Sequence, residues 1–182
     1  IERFITRAEE WVRSRNLEIR FADIIHDGYH EIQGKGKNWI PRYYSLMITE
    51  FFQEGLTRCI VGTRGLLGEG WDASRINVLI DMTTVTTSMS INQLRGRSIR
   101  LDSMWPEKVA NNWYFIFVAD EFTKGFDDYE RFKRKHQQLY GVCDDGTIEK
   151  GVGHVHAAFN DARPEGISEG MVLFNDEMLK RA

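Results

Sequence analysis

Between Thr57 and Asp102 the chain carries residue types suited to phosphoryl chemistry. Gly68-Glu69-Gly70-Trp71-Asp72 reads as a glycine-rich turn that ends in a carboxylate. Glycines there allow positive φ and close backbone approach to a ligand. Further on, Gln93, Gly96, Arg97 and Arg100 stand at the spacing Q-x-x-G-R-x-x-R. Arginines three apart fall on one face of a helix. Guanidinium groups fixed in that way reach charge developing on a phosphoryl group in transfer. Upstream, the run Cys59-Ile60-Val61 leads into Gly62-Thr63-Arg64. A hydroxyl and an N–H at the carboxyl end of a parallel strand can hold a phosphate oxygen. Each feature has a plainer counterpart: Thr63 as a helix cap, the glycines as an ordinary turn, the arginines as a solvated basic face.

The elements that must position these residues alternate along the chain. Glu2 to Arg15 is amphipathic, with Phe4, Ile5, Ala8, Trp11 and Val12 on one stripe. Leu17 to Ile25 reads as a strand, and His26 to Ile40, with its glycines and GKGK cluster, as a loop. Pro41 suits the first turn of a helix through Glu54 that Gly55 stops. Arg58–Val61, Asn77–Met82 and Trp113–Ala119 read as strands, the first of them buried, and Ser88 or Ser90 as the cap of the arginine-bearing helix. Such alternation predicts an α/β fold with a parallel sheet. Beyond Asp120 the character changes. Lys124–Tyr140 is a charged helix with an aromatic stripe through Phe126, Tyr129 and Phe132. From Gly141 the chain is acidic and glycine-rich, and Asn175 or Asp176 is placed to cap a last helix.

Composition narrows the classes. With 182 residues, the chain has room for one domain, or one with an appendage. Hydrophobic residues make up 42% and charged residues 28%, as in ordinary globular proteins. A net charge of -3 confines any nucleic-acid footprint to a local patch. No apolar run approaches the roughly 20 residues that span a bilayer, and no signal-peptide pattern opens the sequence. Cys59 and Cys143 are the only cysteines, and Cys59 lies in an apolar run that predicts a buried thiol. A disulfide framework is not expected, and the default compartment is a reducing cytoplasm.

The order strand, T-R-G-L-L-G-E-G-W-D, then Q-L-R-G-R-S-I-R resembles motifs V and VI of superfamily 2 helicases and translocases. In that family these motifs belong to the second, C-terminal RecA-like domain. The resemblance is residue-specific from Thr57 to Leu101 and covers about Leu17 to Ala119 in fold. It implies a RecA-like three-layer domain with a mostly parallel sheet over residues 1–120. Residues 121–182 then form a helical or irregular accessory extension.

By the same resemblance Arg97 and Arg100 are arginine fingers, and Gln93 meets phosphates or the partner domain. Asp72 faces the ribose of ATP, and Gly68, Glu69 and Gly70 complete the cofactor-binding turn. Thr63 and Arg64 hold nucleic acid, and Gly96 lets the helix approach closely. Trp71 replaces a common aliphatic residue and is expected to pack beneath the turn. Arg95 is an extra charge, facing solvent or nucleic acid.

No G-x-x-x-x-G-K-[ST] loop and no D-E-x-H-like segment occurs. In the family both lie in the first RecA-like domain, which would hold ATP and Mg²⁺ and precede Ile1. The expected partners are therefore that domain and nucleic acid, DNA more than RNA, because the wording is closer to DNA-acting translocases and restriction-type motor subunits. No membrane partner is expected. The alternative is a non-catalytic RecA-like module that binds nucleic acid or protein.

Other constellations carry less. His26 and His30, with Asp27, have metal-ligating types but sit in a glycine-rich stretch. Cys143, His154 and His156 fit no zinc spacing, so no metal site is expected. Gly34-Lys35-Gly36-Lys37 is either a phosphate-following loop or a solvated one.

Overall fold

The structure is a computed structural model, described for residues 1–67, 71–160 and 164–181. It is a mixed α/β chain with six helices and three two-stranded sheets among the described residues. One strand pair is parallel and two are antiparallel. A three-layer sheet of the RecA type is not evident. The chain divides into two compact units, Ile1–Ala73 and Ser74–Ala182. Among the described residues no helix is long and apolar enough to cross a membrane.

In the first unit, α1 (Glu2–Ser14) and α2 (Pro41–Gln53) form where the apolar period requires them. Their inner faces bury Ala8, Trp11 and Val12 against Met47 and Phe51. Pro41 occupies the first helical turn of α2, and Gly55 stops the chain at φ +77. Between them lies an antiparallel hairpin, β1 (Arg20–His26) and β2 (Tyr29–Lys35). It closes over Asp27-Gly28, with Gly28 at φ +83. The expected loop over 26–40 is thus half strand. The Asp-Gly pair between two β-capable runs is the hairpin signal that the glycine count concealed. In the GKGK segment Lys35, Gly36 and Lys37 are exposed, Lys37 pairs with Glu18 at 2.6 Å on the surface, and Gly34 lies close to the Trp39 ring.

Arg58–Val61 forms no strand, and Cys59 and Val61 are exposed rather than buried. An apolar run becomes a strand only where a neighbour completes its ladder, and among the described residues none pairs with it. A short helix α3 (Arg64–Leu67) follows.

The second unit opens on β3 (Val78–Asp81), which runs parallel to β4 (Asn111–Tyr114) with Val78 opposite Asn111. The strand expected to reach Ala119 ends at Tyr114. Helix α4 (Ser88–Ser98) joins the two, with Thr87 as its N-cap and Ser88 and Ser90 already in its first turn. Helix α5 (Asp127–His136) is shorter than expected, because Tyr140 begins a second hairpin, β5 (Tyr140–Val142) with β6 (Ile148–Lys150). Tyr129 and Phe132 of α5 pack with Val152, Phe159 and Ile167. Helix α6 (Pro164–Arg181) holds Asn175 and Asp176 in its interior, where neither is a cap.

Candidate functional site

Helix α4 presents Gln93 and Arg97 four apart, on one face. Gln93 is exposed, whereas Arg97 is buried, with 8% of its surface accessible. Ile99 is the C-cap, so Arg100 lies one residue past the cap rather than on the helix face with Arg97. Gly96 is not needed for close packing: a Cβ there would meet nothing within 4 Å.

The segment after α4 is tied down by polar groups that the motif spacing does not reveal. Lys108 Nζ donates to the carbonyls of Arg100 and Ser74, both at 2.6 Å. The buried Asp102 accepts from the Met104 N–H at 2.9 Å and the Ser74 hydroxyl at 3.4 Å. Arg75 Nε stands 3.5 Å from the same carboxylate. Burial pulls the Lys108 pKa below that of a free lysine, and the Asp102 charge opposes that pull. A partly desolvated ammonium on two carbonyls is a costly arrangement that fixes backbone geometry. The available signal was an aspartate directly after the motif and a lysine six residues on.

A second buried polar group lies at the carboxyl end of β3. Asp81 Oδ2 accepts from Lys135 Nζ at 2.8 Å, with both side chains almost wholly buried. Lys135 also donates to the Thr83 carbonyl at 2.6 Å and sits over the Tyr114 ring. His136 is buried beside Tyr114 and His154. Burial chiefly lowers its pKa to about 4, helped by the nearby positive charges of His154, Arg95 and Lys135 and opposed by a hydrogen bond to the Phe132 carbonyl. Arg95 also acts on Tyr114 and His154. Arg95 itself is half-buried.

In the first unit Thr63 and Arg64 are exposed. The Thr63 carbonyl accepts from the Leu66 and Leu67 amides, which makes it the start of α3. Asp72 is exposed. Trp71 is half-buried and donates its indole N–H to the Thr49 hydroxyl at 2.6 Å, consistent with packing. Gly68, Glu69 and Gly70 lie outside the described residues.

The histidines of the hairpin point to opposite faces. His26 pairs with Glu31 at 3.0 Å and His30 with Asp23 at 2.9 Å. Strand alternation separates those pairs, so His26 and His30 do not share an ion. His156 pairs with Glu177 at 2.5 Å. Among the described residues no group of three or more His, Cys, Asp or Glu is placed to hold a metal. No family model, curated protein or solved structure matches the chain.

Proposed function

We propose that the chain is the C-terminal, RecA-like motor half of an ATP-dependent superfamily 2 helicase or translocase. What supports the reading is one arrangement. A parallel strand, β3, feeds helix α4, which carries Gln93 and Arg97, and Arg100 follows just past its end, with that segment clasped through Lys108 to Ser74 beside Asp102.

In this reading ATP is bound mainly by a first domain carrying the phosphate loop, and Mg²⁺ is held there too. This chain contributes arginine charge to the γ-phosphoryl group, Asp72 to the ribose, and Thr63 and Arg64 to a nucleic-acid strand, DNA in preference to RNA. Opening and closing of the nucleotide cleft then moves one nucleic-acid grip relative to the other.

The test is turnover beside affinity in the protein that joins this chain to its phosphate-loop domain. Replacing Arg97 or Arg100 by Ala should lower nucleic-acid-stimulated ATPase by on the order of a thousandfold, as for other arginine fingers. Nucleic-acid affinity should stay nearly unchanged, because the charge they meet appears only in the transition state. Thr63→Ala should show the reverse bias. The chain by itself should show no nucleic-acid-stimulated hydrolysis. Arginine variants with normal turnover would leave the binding-module reading in the lead.

A further inference from the structure

Ile99 and Leu101 flank Arg100, and these residues are 62% and 90% exposed. Neither neighbour packs into a core, so apolar contact does not hold the Arg100 backbone. The fixed points are polar. Lys108 reaches the Arg100 carbonyl and the Ser74 carbonyl with one ammonium. Two successive turns bring it there: the Trp105 amide donates to the Asp102 carbonyl at 3.0 Å, and the Lys108 amide to the Trp105 carbonyl at 3.2 Å. Asp102 anchors the first of those turns through Met104 and holds Ser74 and Arg75 beside it.

We infer that Lys108 and Asp102 are positioning residues for Arg100: Lys108 pins the Arg100 carbonyl to that of Ser74, and Asp102 fixes the turn from which Lys108 reaches. This inference rests on the motor reading above. A guanidinium acts on a transferring phosphoryl group only if its backbone is fixed in advance, and small misplacement is expensive in rate. A lysine suits the task because its three donors radiate from one point and can serve two carbonyls at once.

The experiment measures ATPase against ATP concentration in the full motor, for Lys108→Met, Arg100→Ala and the double variant. Lys108→Met keeps chain length and removes the donors. It should lower kcat by about ten- to a hundredfold, the scale of a misplaced catalytic group. KM for ATP and nucleic-acid affinity should change little. On the Arg100→Ala background, Lys108→Met should add no further loss, because it acts through Arg100. Asp102→Asn is the milder companion. It should follow the same pattern with a smaller loss and faster hydrogen exchange at the Met104 amide, and it carries the test if Lys108→Met does not fold.

Normal kcat in both the Lys108 and Asp102 variants overturns the inference. So does a loss that multiplies with that of Arg100→Ala, which marks a general structural role. Arg100→Ala with normal turnover instead sinks the motor reading on which the inference stands.

Discussion

The first unit buries Ala8, Trp11, Val12, Met47 and Phe51, and leaves its ion pairs Arg7–Glu54 and Arg15–Glu50 at the rim. The second buries Asp81, Arg97, Ser98, Asp102, Lys135 and His136, and leaves Val78, Ile80, Phe115 and Phe117 exposed. Both units have an apolar core, that of the second around Tyr129 and Phe132, but the second also inverts part of the usual partition of side chains. Buried charge is tolerated only where pairing and hydrogen bonds offset its desolvation. The inversion falls beside the parallel strand and the arginine-bearing helix.

That contrast is broken most directly at Lys135. Lys135→Met removes the ammonium and leaves the Asp81 carboxylate buried, with the Thr83 amide still donating to it. It should destabilise the second unit by about 3–5 kcal/mol. Adding Asp81→Asn should recover most of that loss. In the first unit Trp11→Ala should cost a similar 3–5 kcal/mol through an unfilled cavity, and no polar second change should rescue it. Residue-resolved hydrogen exchange reads each unit separately. Rescue of Lys135→Met by its partner, and failure to rescue Trp11→Ala, is the expected difference.

Acid sharpens the contrast. His136 titrates near 4 in the fold against an ordinary 6.5, so the unfolded chain binds the extra proton first. Stability from this group is flat above about pH 6.5, falls as pH drops toward 4, and levels off below that. The full change is roughly 3 kcal/mol, at about 1.4 kcal/mol per pH unit of displacement. His154, also lowered by burial, adds in the same direction. Protection factors in the second unit, taken against the intrinsic exchange rate at each pH, should therefore fall between pH 6.5 and 4, and His136→Phe should flatten most of that fall.

The two regions also differ in how much the sequence disclosed. Helices α1 and α2 were legible to within a residue or two, because Phe4, Ala8, Trp11 and Val12 repeat at the helical period and Pro41 and Gly55 bracket the second helix. The alternation also disclosed β3 and α4. What escaped was non-local. The run Cys59-Ile60-Val61 has strand composition but no ladder partner, and composition cannot report a partner. The register of β1 and β2 depended on Asp27-Gly28, hidden among other glycines. In the site, Q-x-x-G-R-x-x-R located α4 but placed Arg100 on its face, although Ile99 ends the helix. Lys108, Asp102 and the Asp81–Lys135 pair join residues far apart in sequence. No spacing rule connects them.

Glycine offers a smaller test, with one position in each unit. Gly36 sits at φ +138, and a Cβ there would lie 2.0 Å from the Glu18 carbonyl oxygen. Gly36→Ala combines a disfavoured backbone with a clash against main chain, and should cost about 1–3 kcal/mol. Faster exchange at the β1–β2 amides is the readout. Gly96→Ala in the second unit meets open space in a helix interior. It should be neutral or stabilise α4 by up to about 1 kcal/mol. A strongly destabilising Gly96→Ala would mean that the α4 face is closely packed after all.

The smallest effect is expected at the rim of the first unit. Arg7 donates from Nε and Nη2 to both Glu54 oxygens, at 2.9 and 2.6 Å, and its guanidinium lies over the Phe51 ring. The hydrogen bond from Arg7 holds the Glu54 carboxyl below its ordinary pKa. Its stabilising share is therefore present above the ordinary glutamate value and fades as pH falls through the lowered one. Both side chains remain substantially exposed, at 31% and 43%, so water and salt screen the pair. Glu54→Gln should accordingly cost less than about 1 kcal/mol, and the cost should shrink in high salt. The buried Asp81–Lys135 pair of the second unit should respond far less to salt, because screening ions do not reach it. Equal salt sensitivity of Glu54→Gln and Lys135→Met would show that the second unit's ion pair is hydrated in solution, and the contrast between the two units would then collapse.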